Sequence, residues 1–161
     1  MQLLERQAIQ YQISQATWRD LISLRRLEKE NFELDAWPMI DLLAVLLMPG
    51  IVRLKAVAGD AMIGFIGGER RSDNGIGWIV TLAVSVPYRR KGVARALLRA
   101  CESTLHTRRF RLSVRRSNLA AIRLYQSEDY IQVDTWKQYY SGGEDALILE
   151  KIHPAHVEVN G

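Results

Sequence analysis

Ile79–Ala94 reads IVTLAVSVPYRRKGVA, and the order of its residue types decides the fold. A mostly apolar run leads up to Pro87, and a run of that kind predicts a strand buried on both faces. Arg89-Arg90-Lys91-Gly92 follows. From there Val93, Ala94, Leu97, Leu98, Cys101 and Leu105 recur at helical spacing, predicting a helix over Lys91–Thr107. Backbone N–H groups in a helix's first turn lack an intrahelical acceptor, and with the helix dipole they form an anion site. Gly92 permits close approach of a ligand to the backbone, and the small Ala94 leaves room on the same turn. The stretch therefore reads as a grip for a pyrophosphate, with a solvated basic turn ahead of an ordinary helix as the bland alternative.

On the N-terminal side, Ile9–Gln15 reads as a strand. Thr17 and Asp20 are placed like an N-cap and a first-turn acid for a helix carrying Leu21, Leu24, Leu27 and Glu28. Glu30–Ala36 reads as a loop, Pro38 as the start of a second helix through Met48, and Pro49-Gly50 as its stop. Ile51–Ala58 and Met62–Gly68 are paired strands turning at Gly59-Asp60. Ser72–Gly75 makes a second turn, which leads into a long central strand, Ile76–Val86. On the C-terminal side, Phe110–Val114 is a strand and Asn118 caps a short helix, Leu119–Gln126. Tyr130–Tyr140 and Ala146–Lys151 are the last two strands. The order β-αα-βββ-α-β-α-ββ implies a mixed α/β sheet with helices on both faces.

The chain has 161 residues, which fits one domain over residues 1–153 followed by a polar tail at 154–161. The single cysteine, Cys101, excludes an internal disulfide and falls in an apolar helical pattern, as a core thiol in a reducing, cytoplasmic compartment would. No leader is visible at the N-terminus, and the longest apolar stretch, Leu42–Met48, is too short to cross a bilayer. Net charge is +4, with basic residues gathered at Arg89–Lys91 and at Arg108, Arg109, Arg111, Arg115 and Arg116. That clustering points to a phosphorylated ligand; no nucleic-acid motif and no metal-ligand cluster accompanies it.

Arg89-x-x-Gly92-x-Ala94 resembles the acetyl-coenzyme-A pyrophosphate signature of the GNAT acyltransferase superfamily. Ser117–Tyr125, SNLAAIRLY, is similar to that superfamily's asparagine-to-tyrosine helix, and the likeness extends from Ile13 to Glu150. Within the superfamily the sequence is most similar to RimI-type ribosomal-protein-alanine and related protein N-terminal acetyltransferases. Leu27-Glu28…Phe32…Trp37, Leu112–Asn118 and Tyr139-Tyr140 with Glu144-Asp145-Ala146 carry that likeness.

The resemblance implies a central, largely antiparallel, splayed sheet of about seven strands flanked by about four helices. It implies acetyl-CoA as cosubstrate and no metal. Leu82, Ala83 and Val84 would take the acetyl and pantetheine portion. Val86, Arg89, Arg90, Lys91, Gly92, Val93 and Ala94 would hold the pyrophosphate, and Asn118 would touch the pantetheine or order the splay. Tyr125 would protonate the departing sulfur, and the backbone N–H of Val84 would serve the oxyanion. Phe32, Glu33, Ser113, Tyr139 and Tyr140 would line the acceptor side.

RimI-like proteins carry a glutamate where this chain has Ser113, and serine at its ordinary pKa is no base. Glu33 is the expected replacement, with Glu28 and Glu144 as further candidates. An α-amine with pKa near 8 needs little base help at neutral pH. Asp129 stands where relatives have glycine and is expected to take a left-handed conformation. The acceptor is expected to be a protein N-terminus. A small amine such as a polyamine, amino acid or aminoglycoside is the alternative, favoured by an acidic pocket of Glu28, Glu33 and Glu144. An acyl-CoA-binding regulator without catalysis is the third reading. Neither nucleic acid nor membrane is expected as a partner, and the chain is expected to be a monomer or homodimer.

Overall fold

The computed structural model describes residues 8–71 and 73–154. Its strands are β1 (Gln12–Gln15), β2 (Ile51–Ala58), β3 (Ala61–Arg70), β4 (Gly77–Val84), β5 (Arg109–Arg115), β6 (Ile131–Trp136) and β7 (Ala146–Ile152). Its helices are α1 (Leu21–Asn31), α2 (Met39–Leu47), α3 (Val93–Leu105) and α4 (Leu119–Ser127). The strands form one seven-stranded sheet in the order β1-β2-β3-β4-β5-β7-β6. The β4–β5 pairing is parallel and the other pairings are antiparallel. Element order, the mixed sheet and the largely antiparallel pairing agree with the sequence reading. Ser72, the leader reading at the first residues and all of the tail except Pro154 lie outside the described residues.

Pleating divides the core between the two faces of the sheet. Ile79, Leu82 and Val84 meet Val93, Leu97, Leu98 and Cys101 of α3 and Tyr125 of α4. Ala83 and Phe65 meet Leu24, Leu27, Leu42 and Leu46 of α1 and α2. On that second face, beyond the helices, Trp78, Ile148 and Ala146 form a smaller cluster with Trp136 and Tyr140. Helix α3 lies flush on β3 because Gly64 and Gly68 present no side chain to it. A Cβ at Gly68 would stand 2.7 Å from Cys101 Sγ. Cys101 is fully buried, and desolvation pushes its thiol up to about 12, so it packs as an apolar group rather than a nucleophile.

Several element ends differ from the sequence reading, each for a local reason. β1 starts at Gln12 because its partner β2 ends one residue past Val57, the mate of Gln12. The chain after Val84 leaves the sheet, and Val86–Tyr88 forms a 3-10 turn around Pro87, which has no N–H for a ladder. α3 begins at Val93 because Gly92 sits at φ +83, outside helical space. β6 stops at Trp136 because Gln138 turns at φ +52 and donates its N–H to Asp145 Oδ1 at 3.0 Å. α1 runs on to Asn31, and Pro38 caps α2 from outside it. Asp129 takes φ +68, as expected for its place after α4.

A buried ionic knot ties α3 to the last strand. Glu102 Oε1 accepts from Tyr130 Oη at 2.7 Å, and Glu102 Oε2 accepts from Lys151 Nζ at 2.8 Å, with His153 Nε2 at 3.3 Å. Removing one partner of a buried pair costs about 3–5 kcal/mol when the other charge is left bare. Here Glu102 would keep the Tyr130 hydroxyl and the His153 ring. Lys151→Met is therefore expected to cost less, about 2 kcal/mol by the same reasoning, read as a lower urea midpoint at unchanged slope.

Candidate active site

β4 and β5 pair only at Gly77↔Phe110 and Trp78↔Arg111, then part. One cause is visible in β4 itself. Its register against β3 slips so that Gly68 faces Ile79 and Gly67 faces Thr81, leaving Val80 as an extra residue that bends the strand. Beyond Trp78 the β5-side edge of β4 has no strand partner. Ser85 N–H donates to Ile63 O on β3 at 2.8 Å. Strand amides alternate between edges, so the N–H groups of Val84 and Leu82 point into the gap. An unpaired amide held by a bent strand is a donor fixed in advance for an acyl oxygen.

The basic loop stands at the open end of this gap. The first backbone bond of α3 runs from Ala96 N–H to Gly92 O at 3.0 Å, so the N–H groups of Val93, Ala94 and Arg95 have no intrahelical acceptor. A Cβ at Gly92 would meet nothing within 4 Å, leaving space above those donors. Arg90 takes φ +60, an uncommon conformation for a residue with a side chain. Arg89 plays a different part from its neighbours. Its Nε donates to Val84 O at 3.1 Å and its Nη2 to Asn31 Oδ1 at 3.0 Å, so the guanidinium fastens the end of β4 to the end of α1. Arg90 and Lys91 are exposed at the rim and have no carboxylate partner among the described residues. This cradle, the gap and the apolar walls fit an acyl-coenzyme A.

Three members of the other basic cluster, Arg111, Arg115 and Arg116, are paired within the fold. Arg111 pairs with Glu150 at 2.5 Å, and Arg116 pairs with Asp145 at 3.4 Å. Arg115 donates to Asp35 through Nε and Nη2, and its Nη1 reaches Glu144 Oε2 at 2.6 Å. Ser141 N–H donates to Asp35 Oδ1 at 3.2 Å, and Ser117 N–H to Glu144 Oε1 at 2.7 Å. The α1–α2 connection and the β6–β7 connection are thereby clasped together through one arginine. Burial opposes ionisation of Asp35, but the bonds from Arg115 and Ser141 outweigh it and hold the carboxyl below its usual range. Bonds from Ser117 and Arg115 lower Glu144 likewise.

Tyr125 is 8% exposed on α4, between the main core and Tyr140. Burial raises its phenol far above the ordinary value, and the neighbouring Tyr140 adds to this, so the group stays protonated at neutral pH. Tyr140 Oη donates to Ser113 Oγ at 3.3 Å, joining two residues expected on the acceptor side. Tyr139 is exposed and packs on Trp136 and Tyr140, with ring centroids 5.2 Å and 5.0 Å away. Asn118 caps α4 by accepting Ala121 N–H at 3.2 Å.

The candidate bases separate sharply. Glu28 is 1% exposed and accepts from Thr81 Oγ1 at 2.9 Å; desolvation raises its pKa despite that bond and one from the Trp37 backbone. Glu144 is bound into the clasp. Glu33 is exposed on the α1–α2 connection and makes no side-chain hydrogen bond among the described residues. Glu30, assigned only to the loop by the sequence reading, accepts Val86 N–H at 2.5 Å and Ser85 Oγ at 3.2 Å, so the Val86 amide is already taken. No local pattern marks Glu30 or the Asp35–Arg115 pair, whose members lie 80 positions apart.

Residues 11–129 match the family model described as Acetyltransferase (GNAT) family. The chain is 38% identical over 79 residues to an N-alpha-acetyltransferase of Saccharolobus solfataricus, spanning 47% of each chain, about half the length of that relative. It is 30% identical over 141 residues to an uncharacterized N-acetyltransferase of Methanocaldococcus jannaschii, covering 84% of this chain and 88% of the other. The fold superposes on the ribosomal-protein-S18-alanine N-acetyltransferase of Escherichia coli with a TM-score of 0.81 at 24% identity, covering 94% of this chain and 100% of that one. It superposes on Arabidopsis thaliana NAA60, solved with acetyl-CoA, with a TM-score of 0.78 at 22% identity, covering 94% and 100%. With the parted β4–β5 edge and the glycine cradle at its end, these matches place the chain in the GNAT acetyltransferase family.

Proposed function

We propose that the protein transfers an acetyl group from acetyl-CoA to the α-amino group of a protein N-terminus, by direct attack within a ternary complex. The observation that carries this reading is the unpaired edge of β4, with the Val84 N–H turned into the gap and the Gly92 cradle at its end. Acetyl-CoA supplies the activated acyl carbon and a sulfur leaving group. Val84 N–H donates to the oxygen on which charge develops, and the Tyr125 hydroxyl gives its proton to the sulfur. Leu82 and Val84 flank the gap, and Asn118 holds the start of α4 beside it. Several curated relatives are named for N-alpha-acetyl transfer, which supports the N-terminal acceptor.

A small cationic acceptor would be favoured by an acidic pocket of Glu28, Glu33 and Glu144, and two of those carboxylates are committed elsewhere. The acceptor side instead carries Phe32, Ser113 and the exposed Tyr139 beside Tyr140, which suits an extended chain. Glu33 is assigned as the base that relieves the attacking amine of its proton. Glu33→Gln is expected to lower peptide acetylation at neutral pH by about tenfold, less than a general base usually contributes, because an α-amine is already partly neutral. The pH–rate profile is the check. An unchanged profile removes Glu33 from that role.

A further inference from the structure

Parting β4 from β5 leaves Val84 with two backbone groups to account for. In a strand, the N–H and C=O of one residue share an edge. With the Val84 N–H turned into the gap, its C=O faces the gap too, beyond the last β5 pairing at Trp78↔Arg111. Acetyl transfer needs that amide free, that carbonyl satisfied, and the donor held to within about 0.5 Å. On its other edge β4 keeps β3, with Gly64↔Val84 as the end pair and the Ser85 N–H bond to Ile63 O just beyond it. A strand end bonded along one edge frays unless something else fixes it.

Arg89 takes the carbonyl that β5 leaves, its Nε donating to Val84 O at 3.1 Å, and the amide of the same residue stays free. Arg89 is exposed and has no carboxylate partner among the described residues, so no ion pair holds its guanidinium. Asn31 holds it instead. Its Oδ1 accepts from Arg89 Nη2 at 3.0 Å, and its Nδ2 donates to Leu27 O at 2.9 Å. A guanidinium only donates and a backbone carbonyl only accepts, so these two partners fix which way the Asn31 amide points. The Val84 carbonyl is thereby linked, through Arg89 and Asn31, to the backbone of α1.

Leu24 and Leu27, fully buried, seat α1 in the core and make it a fixed frame. Its last turns carry two further ties. Glu28 accepts from Thr81 Oγ1 at 2.9 Å, ahead of Val84, and Glu30 accepts the Val86 N–H behind it. The helix thus grips β4 on both sides of the donor, where β5 has withdrawn. We propose that Asn31 is a positioning residue of the acetyl-transfer site, acting through Arg89 to hold the Val84 amide where the acyl oxygen needs it. The proposal rests on the Val84 N–H being that donor.

The test compares the wild-type protein with Asn31→Ala and Asn31→Asp, in steady-state acetylation and in calorimetry with coenzyme A. Asn31→Ala is expected to lower kcat by about 10- to 100-fold, at or below the loss of a whole oxyanion donor. Acceptor KM and the coenzyme-A dissociation constant are expected to stay within about twofold, the split that marks an interaction made in the transition state. Asn31→Asp keeps an acceptor for Arg89 and is expected to return kcat to within about threefold of wild type. Infrared difference spectra follow bound acetyl-CoA, isotope-labelled at its carbonyl carbon, with no amine present. Its carbonyl stretch is expected to fall on binding to the wild type and to move back toward the free value in Asn31→Ala. A wild-type stretch unshifted by binding overturns the Val84 donor, and the role of Asn31 falls with it. A shift retained in Asn31→Ala, or an unchanged kcat, overturns the role of Asn31 and leaves the donor standing. A loss of coenzyme-A affinity that accounts for the whole fall in activity makes Asn31 a binding residue and overturns the positioning role as well.

Discussion

Gly92→Asp is expected to weaken coenzyme-A binding by more than about 100-fold, equivalent to about 2.7 kcal/mol, in calorimetry with the purified protein. Gly92 is the N-cap of α3 at φ +83, and its missing side chain leaves open space over the first-turn amides. Aspartate there would turn its carboxylate onto the donors that a phosphate needs and would repel the phosphate as well. The same carboxylate favours a helix N-terminus, offsetting part of the cost of about 1–2 kcal/mol for the left-handed backbone. Weakened binding would therefore reflect loss of the cradle rather than of the fold. Gly92→Ala keeps the backbone penalty without the charge and is expected to weaken binding by about tenfold or less. Affinity of the aspartate variant within threefold of wild type would place the phosphates elsewhere.

Tyr125→Phe is expected to lower kcat by about 10²–10⁴-fold, the usual range for a lost general acid, with the coenzyme-A dissociation constant unchanged. The ring would remain packed beside Tyr130, 5.7 Å between centroids, so the core keeps its filling. Because burial raises the phenol's pKa, it remains protonated as pH rises through its ordinary value near 10. The wild-type pH–rate curve is therefore expected to show no loss from this group below about pH 10. Turnover equal to wild type in the phenylalanine variant would remove Tyr125 from the reaction. A fall confined to coenzyme affinity would make it a binding residue instead.

The backbone geometry of the proposed donor half was legible because it is local. Gly92 and Ala94 with the helix behind them, and Asn118 with Tyr125 seven residues on, are short patterns whose geometry follows from backbone bonds a few residues apart. The left-handed Asp129 was legible for the same reason. The acceptor half was not. The basic residues from Arg109 to Arg116 read as one cluster, yet alternate members of β5 face Glu150, Asp35 and Glu144, each supplied by a distant part of the chain. Nor did any local pattern show that Arg89, expected at the pyrophosphate, fastens β4 to α1.

By itself the sequence determined the order of elements, the mixed sheet and the glycine cradle, because period, proline and glycine act through neighbours within a turn or a strand. Tertiary structure alone decided which carboxylates are free. Glu28 is buried against Thr81, Glu144 is held by Arg115, Glu30 is spent on the Val86 amide, and Glu33 stays in solvent. The state of a carboxylate depends on solvent and on charges brought together across the sheet, and no spacing along the chain encodes which of those arrives.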